Sequence, residues 1–142
     1  MVNRTSSGRE PMAAPAASSD GSLSLHLRPT TGAIRAARHQ VVRWARAAGM
    51  ASTHEHTLAL LTSEVVANAV RHAGGDVTVT ARAGEVVLTV EVTDGSRRRP
   101  SVLRQPPTAL GGRGMDIVDR MAQSWGVRPH GDGKTVWFAV PL

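Results

Sequence analysis

The chain predicts a two-layer α+β sandwich, a mixed and mostly antiparallel sheet with its helices gathered on one face. Two observations carry that expectation. Alternating apolar runs joined by glycine turns read as two β-hairpins, and three stretches with apolar residues at three- and four-residue steps read as helices. The order is strand, helix, helix, two strands, helix, two strands. It sets hairpins beside helices instead of alternating strand with helix, which is the pattern of a two-layer fold.

Residues 1–21 are rich in Ser, Ala, Pro and Gly and show no apolar period, so they read as a disordered tail before a domain at 22–142. Leu23, Leu25 and Leu27 alternate with Ser24, His26 and Arg28, as in a half-buried strand. Thr30 or Thr31 can cap a first helix that runs to about Ala48, with Gly49 as its stop signal. Ile34, Ala37, Val41, Trp44 and Ala48 give it one apolar face, and Arg35, Arg38, Arg43 and Arg46 lie off that face. A second helix runs from about Ser52 to Ala73 and ends at Gly74-Gly75. Val77, Val79 and Ala81, then Val86, Leu88, Val90 and Val92, alternate around Gly84 as a hairpin. Residues 95–113 are rich in Gly, Pro and Arg and lack periodicity; so long a stretch inside a domain is a functional lid or a disordered loop. A third helix follows from Gly114 to about Ser124, and a second hairpin turns at Gly131-Asp132-Gly133 into the strand Thr135 to Val140.

Length and composition bound the function. The 142 residues suit one domain, and the absence of cysteine excludes disulfides, thiolate metal sites and cysteine nucleophiles. No apolar run approaches a membrane span and the N-terminus lacks a signal-peptide core, so the expected compartment is the cytoplasm. The net charge is +6, most of it in residues 1–50, where seven arginines face Glu10 and Asp20. That balance admits an acidic partner, but aromatics make up only 3% and no readout motif is present, so direct nucleic-acid binding is not expected.

The residues that could carry chemistry sit mainly on the second helix. Glu64, Asn68 and His72 are spaced i, i+4, i+8 and span about 80° of the helix surface at the border of its apolar band, with Arg71 beside Glu64. Asn68 can offer a carbonyl oxygen to Mg²⁺, and Glu64 can act as a general base. Spacing alone equally suits an amphipathic helix with its polar residues toward water. Asp94-Gly95-Ser96 ends an alternating strand, where a carboxylate can accept from a ligand donor or simply open a turn. Gly111-Gly112-Arg113-Gly114 precedes the third helix, where glycines and helix N–H groups can approach phosphates. Gly131-Asp132-Gly133-Lys134-Thr135 is not a P-loop, because position 128 is Arg and a strand follows Thr135. His54-Glu55-His56 lacks the spacing of a zinc motif. Trp44, Trp125 and Trp137 read as core or interface anchors.

Together these pieces resemble the ATP-binding fold of histidine kinases and gyrase, and within it the small anti-sigma factor serine/threonine kinases. The resemblance spans about residues 30–142. Ser63 to Ala73 is similar to that family's N-box, Asp94 to its adenine-recognising aspartate, Gly112-Arg113-Gly114-Met115 to its phosphate turn, and Gly133-Lys134-Thr135 to its closing strand. The resemblance implies ATP and Mg²⁺ as ligands. Asn68 would hold the Mg²⁺, Glu64 would be the base that deprotonates a partner's serine, and His72 and Arg71 would lie near the phosphates. Asp94 and Ser96 would belong to the base site, Thr135 would reinforce the adenine pocket, and residues 95–113 would contain the lid. It also implies a protein partner, a sigma factor or an anti-anti-sigma-like protein, and a homodimer. Ser96 stands where the family usually has glycine, and Arg97-Arg98-Arg99-Pro100 follows in the lid. A nucleotide-binding switch that holds a partner without catalysis is the alternative implied by the same residues.

Overall fold

The computed structural model describes residues 16–17, 21–72, 75–95 and 114–142. Strands β1 (Ala16–Ala17), β2 (Ser22–Leu27), β3 (Val77–Ala83), β4 (Val87–Asp94), β5 (Ser124–His130) and β6 (Gly133–Pro141) form one sheet in the order β1-β2-β3-β4-β6-β5. Every pairing in it is antiparallel. Helices α1 (Thr31–Ala47), α2 (Glu55–His72) and α3 (Gly114–Met121) complete the described elements, with a 3-10 turn at Ser52–His54.

The alternation in the strands becomes two unlike faces. Leu88, Val90 and Val92 of β4 are buried opposite Val140, Phe138 and Val136 of β6. The helices cover that face: α2 packs on β3, β4 and β6, and α1 packs on β2 and β3. Of the apolar band expected on α2, Leu58, Leu61, Val65, Val66 and Ala69 are buried and Val70 is partly buried. On α1 the buried stripe is Ala33, Ala37, Val41 and Ala45, turned from the expected one, and Ile34 and Trp44 are only partly buried. Small residues at the contact let α1 lie close to its neighbours, and the larger ones fall to its flanks.

The ends of the helices follow local chemistry. Thr30 sits at the N-cap of α1 and receives the Ala33 N–H on its backbone carbonyl at 3.0 Å, but its side chain makes no capping bond. The far end closes as expected at Gly49, whose φ of +99° allows Gly49 N to bond Arg46 O and Met50 N to bond Ala45 O, both at 3.0 Å. That double closure is the Schellman arrangement. Arg46 then meets Glu55 at 3.0 Å, tying the end of α1 to the start of α2.

Three boundaries differ from the sequence expectation. Ala16–Ala17, inside the stretch expected to be disordered, pairs with Leu23 and Ser24 of β2. The second helix winds as a 3-10 turn before it becomes α at Glu55. The third helix stops at Met121 because the chain beyond it is drawn into the sheet: Gln123 N bonds Ala139 O at 2.9 Å, and Ser124 pairs with Ala139. Backbone pairing with β6 wins over another helical turn.

Phe138 is fully buried at the centre of the β4–β6 ladder. Phe138→Ala is expected to lower unfolding stability by about 3–5 kcal/mol, read by urea denaturation; a loss under about 1 kcal/mol would show that the residue lies outside the tightly packed core.

Candidate functional site

The site is built from α2, the paired ends of β4 and β6, and the start of α3. Helix α2 lies across the sheet and also packs against α3. It therefore carries its polar stripe along α3, where Glu64 meets Gly114. Asn68 is only 2% exposed, while Glu64 and His72 are partly buried and Arg71 is exposed. The stripe thus runs deeper at its middle than an ordinary wet helix face does.

Among the described residues three buried side-chain atoms lack a hydrogen-bond partner: His54 Nδ1, Thr62 Oγ1 and Asn68 Nδ2. A buried amide without a partner costs about 1–3 kcal/mol, so it marks a place where a ligand can complete the bonding. Turned over about its last torsion, the Asn68 amide presents its carbonyl oxygen at the same place, the donor type that Mg²⁺ takes. The residues present thus fit a Mg²⁺ held by one protein oxygen together with phosphates and water. No group of three or more acidic or histidine ligands occurs among the described residues.

Glu64 is placed by α3. A Cβ built on Gly114 would come within 2.6 Å of Glu64 Oε1, so the carboxylate lies against the first residue of that helix. The carboxylate uses the space that a Cβ would take, so a larger residue at 114 would turn the end of the Glu64 side chain aside. The position also suits a negative charge, since the unpaired N–H groups of a helix start are electropositive. The same N–H groups are what a phosphate would use. Gly114 and Met115 both stand at this helix start; the Met115 side chain is buried in the core, which leaves its backbone as the part that can meet a ligand. Ser96, Gly112 and Arg113, with the rest of the lid, lie outside the described residues.

Asp94 and Thr135 separate onto opposite faces of the sheet. Asp94 continues the inward series Leu88, Val90, Val92 and is fully buried in its side chain. Its register partner is Lys134, which continues the inward series Val140, Phe138, Val136. Lys134 Nζ donates to Asp94 Oδ2 at 3.1 Å and reaches Oδ1 at 3.4 Å, with the lysine side chain only 3% exposed. Thr135 pairs instead with Thr93 on the other face, their hydroxyls 2.7 Å apart, in a row with Glu91 and Arg128. Thr135, expected to reinforce the adenine pocket, thus lies on the sheet face opposite to Asp94, because a one-residue step along a strand reverses the face. The residue missed by sequence reasoning is Lys134. Counting back in twos from Phe138 would have found it.

Gly133 allows the approach of the two strand ends. A Cβ there would collide with the Asp94 carbonyl oxygen and come 2.7 Å from Gly95 Cα. Glycine is required by contact here, at the position that sets Lys134 against Asp94.

The two faces can be told apart experimentally. Thr135→Val is expected to cost about 1 kcal/mol of stability through the lost hydroxyl pair and to leave nucleotide affinity unchanged; weakened binding at unchanged stability would place Thr135 back in the site.

None of the described helices is long and apolar enough to cross a membrane. Among solved structures, the chain is similar to the RsbU and RsbW domains of Rv1364c from Mycobacterium tuberculosis, with a TM-score of 0.61 and 21% identity. That match covers 82% of this chain and 32% of the other, and at this identity it speaks for the fold alone. No curated protein matches the chain. The model of the histidine kinase-like ATPase domain family matches residues 27–140, which hold β3 to β5, nearly all of β6 and every helix described above, and the chain belongs to that family, which implies ATP as its ligand.

Proposed function

We propose that the protein is an ATP-binding regulator that acts as a Mg²⁺-dependent serine/threonine kinase of the anti-sigma type, on a serine of an antagonist-like partner protein in the cytoplasm. The observation that carries the reading is the buried, unpartnered amide of Asn68 one helical turn from Glu64, whose carboxylate abuts the start of α3. Membership of an ATPase family supports its nucleotide, and the likeness to a structure containing an RsbW domain supports its fold.

In this reading the phosphates lie at the α3 N-terminus, where Gly114 and Met115 present backbone N–H groups, with His72 and Arg71 of the end of α2 near them. Mg²⁺, when bound, neutralises phosphate charge, and Asn68 is the residue that would hold it. Glu64 accepts the proton of the partner's serine hydroxyl as its oxygen attacks the γ-phosphorus. ADP leaves with the electrons of the broken phosphorus–oxygen bond. Because such a transfer depends mainly on positioning and charge neutralisation, a small domain with one base can perform it. A sigma factor is the second partner proposed, and a homodimer the proposed assembly.

A second reading keeps the nucleotide and omits the chemistry. The buried Lys134–Asp94 pair favours it, because a base site that is charged and paired suits a switch that binds without turning over. Glu64→Gln separates the two. For a kinase it is expected to lower phosphoryl transfer by about 10²–10⁴-fold while ATP affinity holds; a binder is indifferent to it.

Asn68→Ala is expected to abolish Mg²⁺-dependent ATP binding in titration calorimetry, with the fold retained by circular dichroism. Unchanged affinity would remove Asn68 from the site.

A further inference from the structure

We propose that Lys134 is a base-reading residue: with Asp94 it forms a buried donor–acceptor pair that recognises the adenine edge, the carboxylate taking the 6-amino group and the ammonium donating to ring N1. This rests on the nucleotide-binding reading and says which atoms of the base are read.

Register and burial place the two groups side by side. Asp94 and Lys134 are paired across β4 and β6 on the helix-covered face, with side chains 0% and 3% exposed. Gly133 lets the strand ends come together there. The contact is uneven, 3.1 Å to Oδ2 and 3.4 Å to Oδ1. A carboxylate has about four lone-pair positions and an ammonium three N–H donors, and Asp94 engages at most two of those donors. Lys134 can therefore donate toward a third group without leaving Asp94.

Separation would be costly. Pulling Lys134 away leaves two buried charges without each other, a change that desolvation makes strongly unfavourable. A base thus docks against the intact pair more readily than it replaces one member. The Watson–Crick edge of adenine offers an acceptor, N1, next to a donor, the 6-amino group, which matches an ammonium next to a carboxylate.

The test compares ATP with 1-deaza-ATP, which keeps the 6-amino group and replaces N1 by C–H, in titration calorimetry on the wild type, Lys134→Met and Lys134→Thr. Loss of an acceptor facing a buried charged donor is expected to weaken wild-type binding by about 10- to 100-fold. Both variants are expected to bind the two nucleotides alike. Equal wild-type affinity for both would overturn the role of Lys134 and leave ATP binding standing. Tighter ATP binding by Lys134→Met than by the wild type would overturn it too, because the lysine would then be a plug to be displaced. No ATP binding by the wild type would overturn the nucleotide reading itself, and this inference with it. The wild-type comparison decides the matter even where a variant fails to fold.

Discussion

The pairing of β4 with β6 is the constraint on which the rest depends. These strands are separated in sequence by α3 and β5, yet they run antiparallel from Val87–Pro141 to Asp94–Lys134. That single register places Val90 against Phe138 and Val92 against Val136 in the core, and by the same parity sets Asp94 beside Lys134 at the edge of that core. A shift of β6 by one residue would expose Phe138 and turn Lys134 to the open face. The hydrophobic demand of the core thus positions two charges at the end of the ladder. Gly133 removes the side chain that would hold the strands apart there.

Helix α2 carries the other half of the site by similar economy. Its buried positions hold it across the sheet, and they leave Asn68 at the inner margin of its polar stripe. The amide is buried because its neighbours Val65 and Ala69 are, and it lacks a partner because nothing polar on the sheet face reaches Nδ2. Glu64, one turn earlier, meets the start of α3, with its carboxylate in the space beside Gly114 that a Cβ would take. Core packing and site geometry are therefore not independent. A change that moves α2 relative to the sheet moves the amide relative to Asp94 as well.

Stability and function pull differently on these residues. An unpartnered Asn68 and a buried ion pair are both costly features in a small domain with an otherwise apolar core. Two such features in so small a core are what a domain that takes a polar, charged ligand would carry. The family membership and the local chemistry agree on that point while resting on different observations.

The periodicities determined the elements, since strand alternation and helical spacing follow directly from what each backbone must bury: β2 and β3 and most of β4, β6, α1 and α2 were legible, while Val86, read into the β4 alternation, is exposed just before that strand. The glycine stop at Gly49 was legible too, because only a residue that tolerates positive φ closes a helix that way. The N-box, Asp94 and the glycine turn before α3 were legible as motifs. Tertiary structure decided the rest. It turned the α1 stripe onto alanines, because packing distance outranks residue size. It ended α3 at Met121, because pairing with Ala139 outcompeted another turn. Above all it set Lys134, and not Thr135, beside Asp94. Both follow the same glycine, and which of them faces the helices depends on the register that burial of Phe138 imposes across strands far apart in the chain.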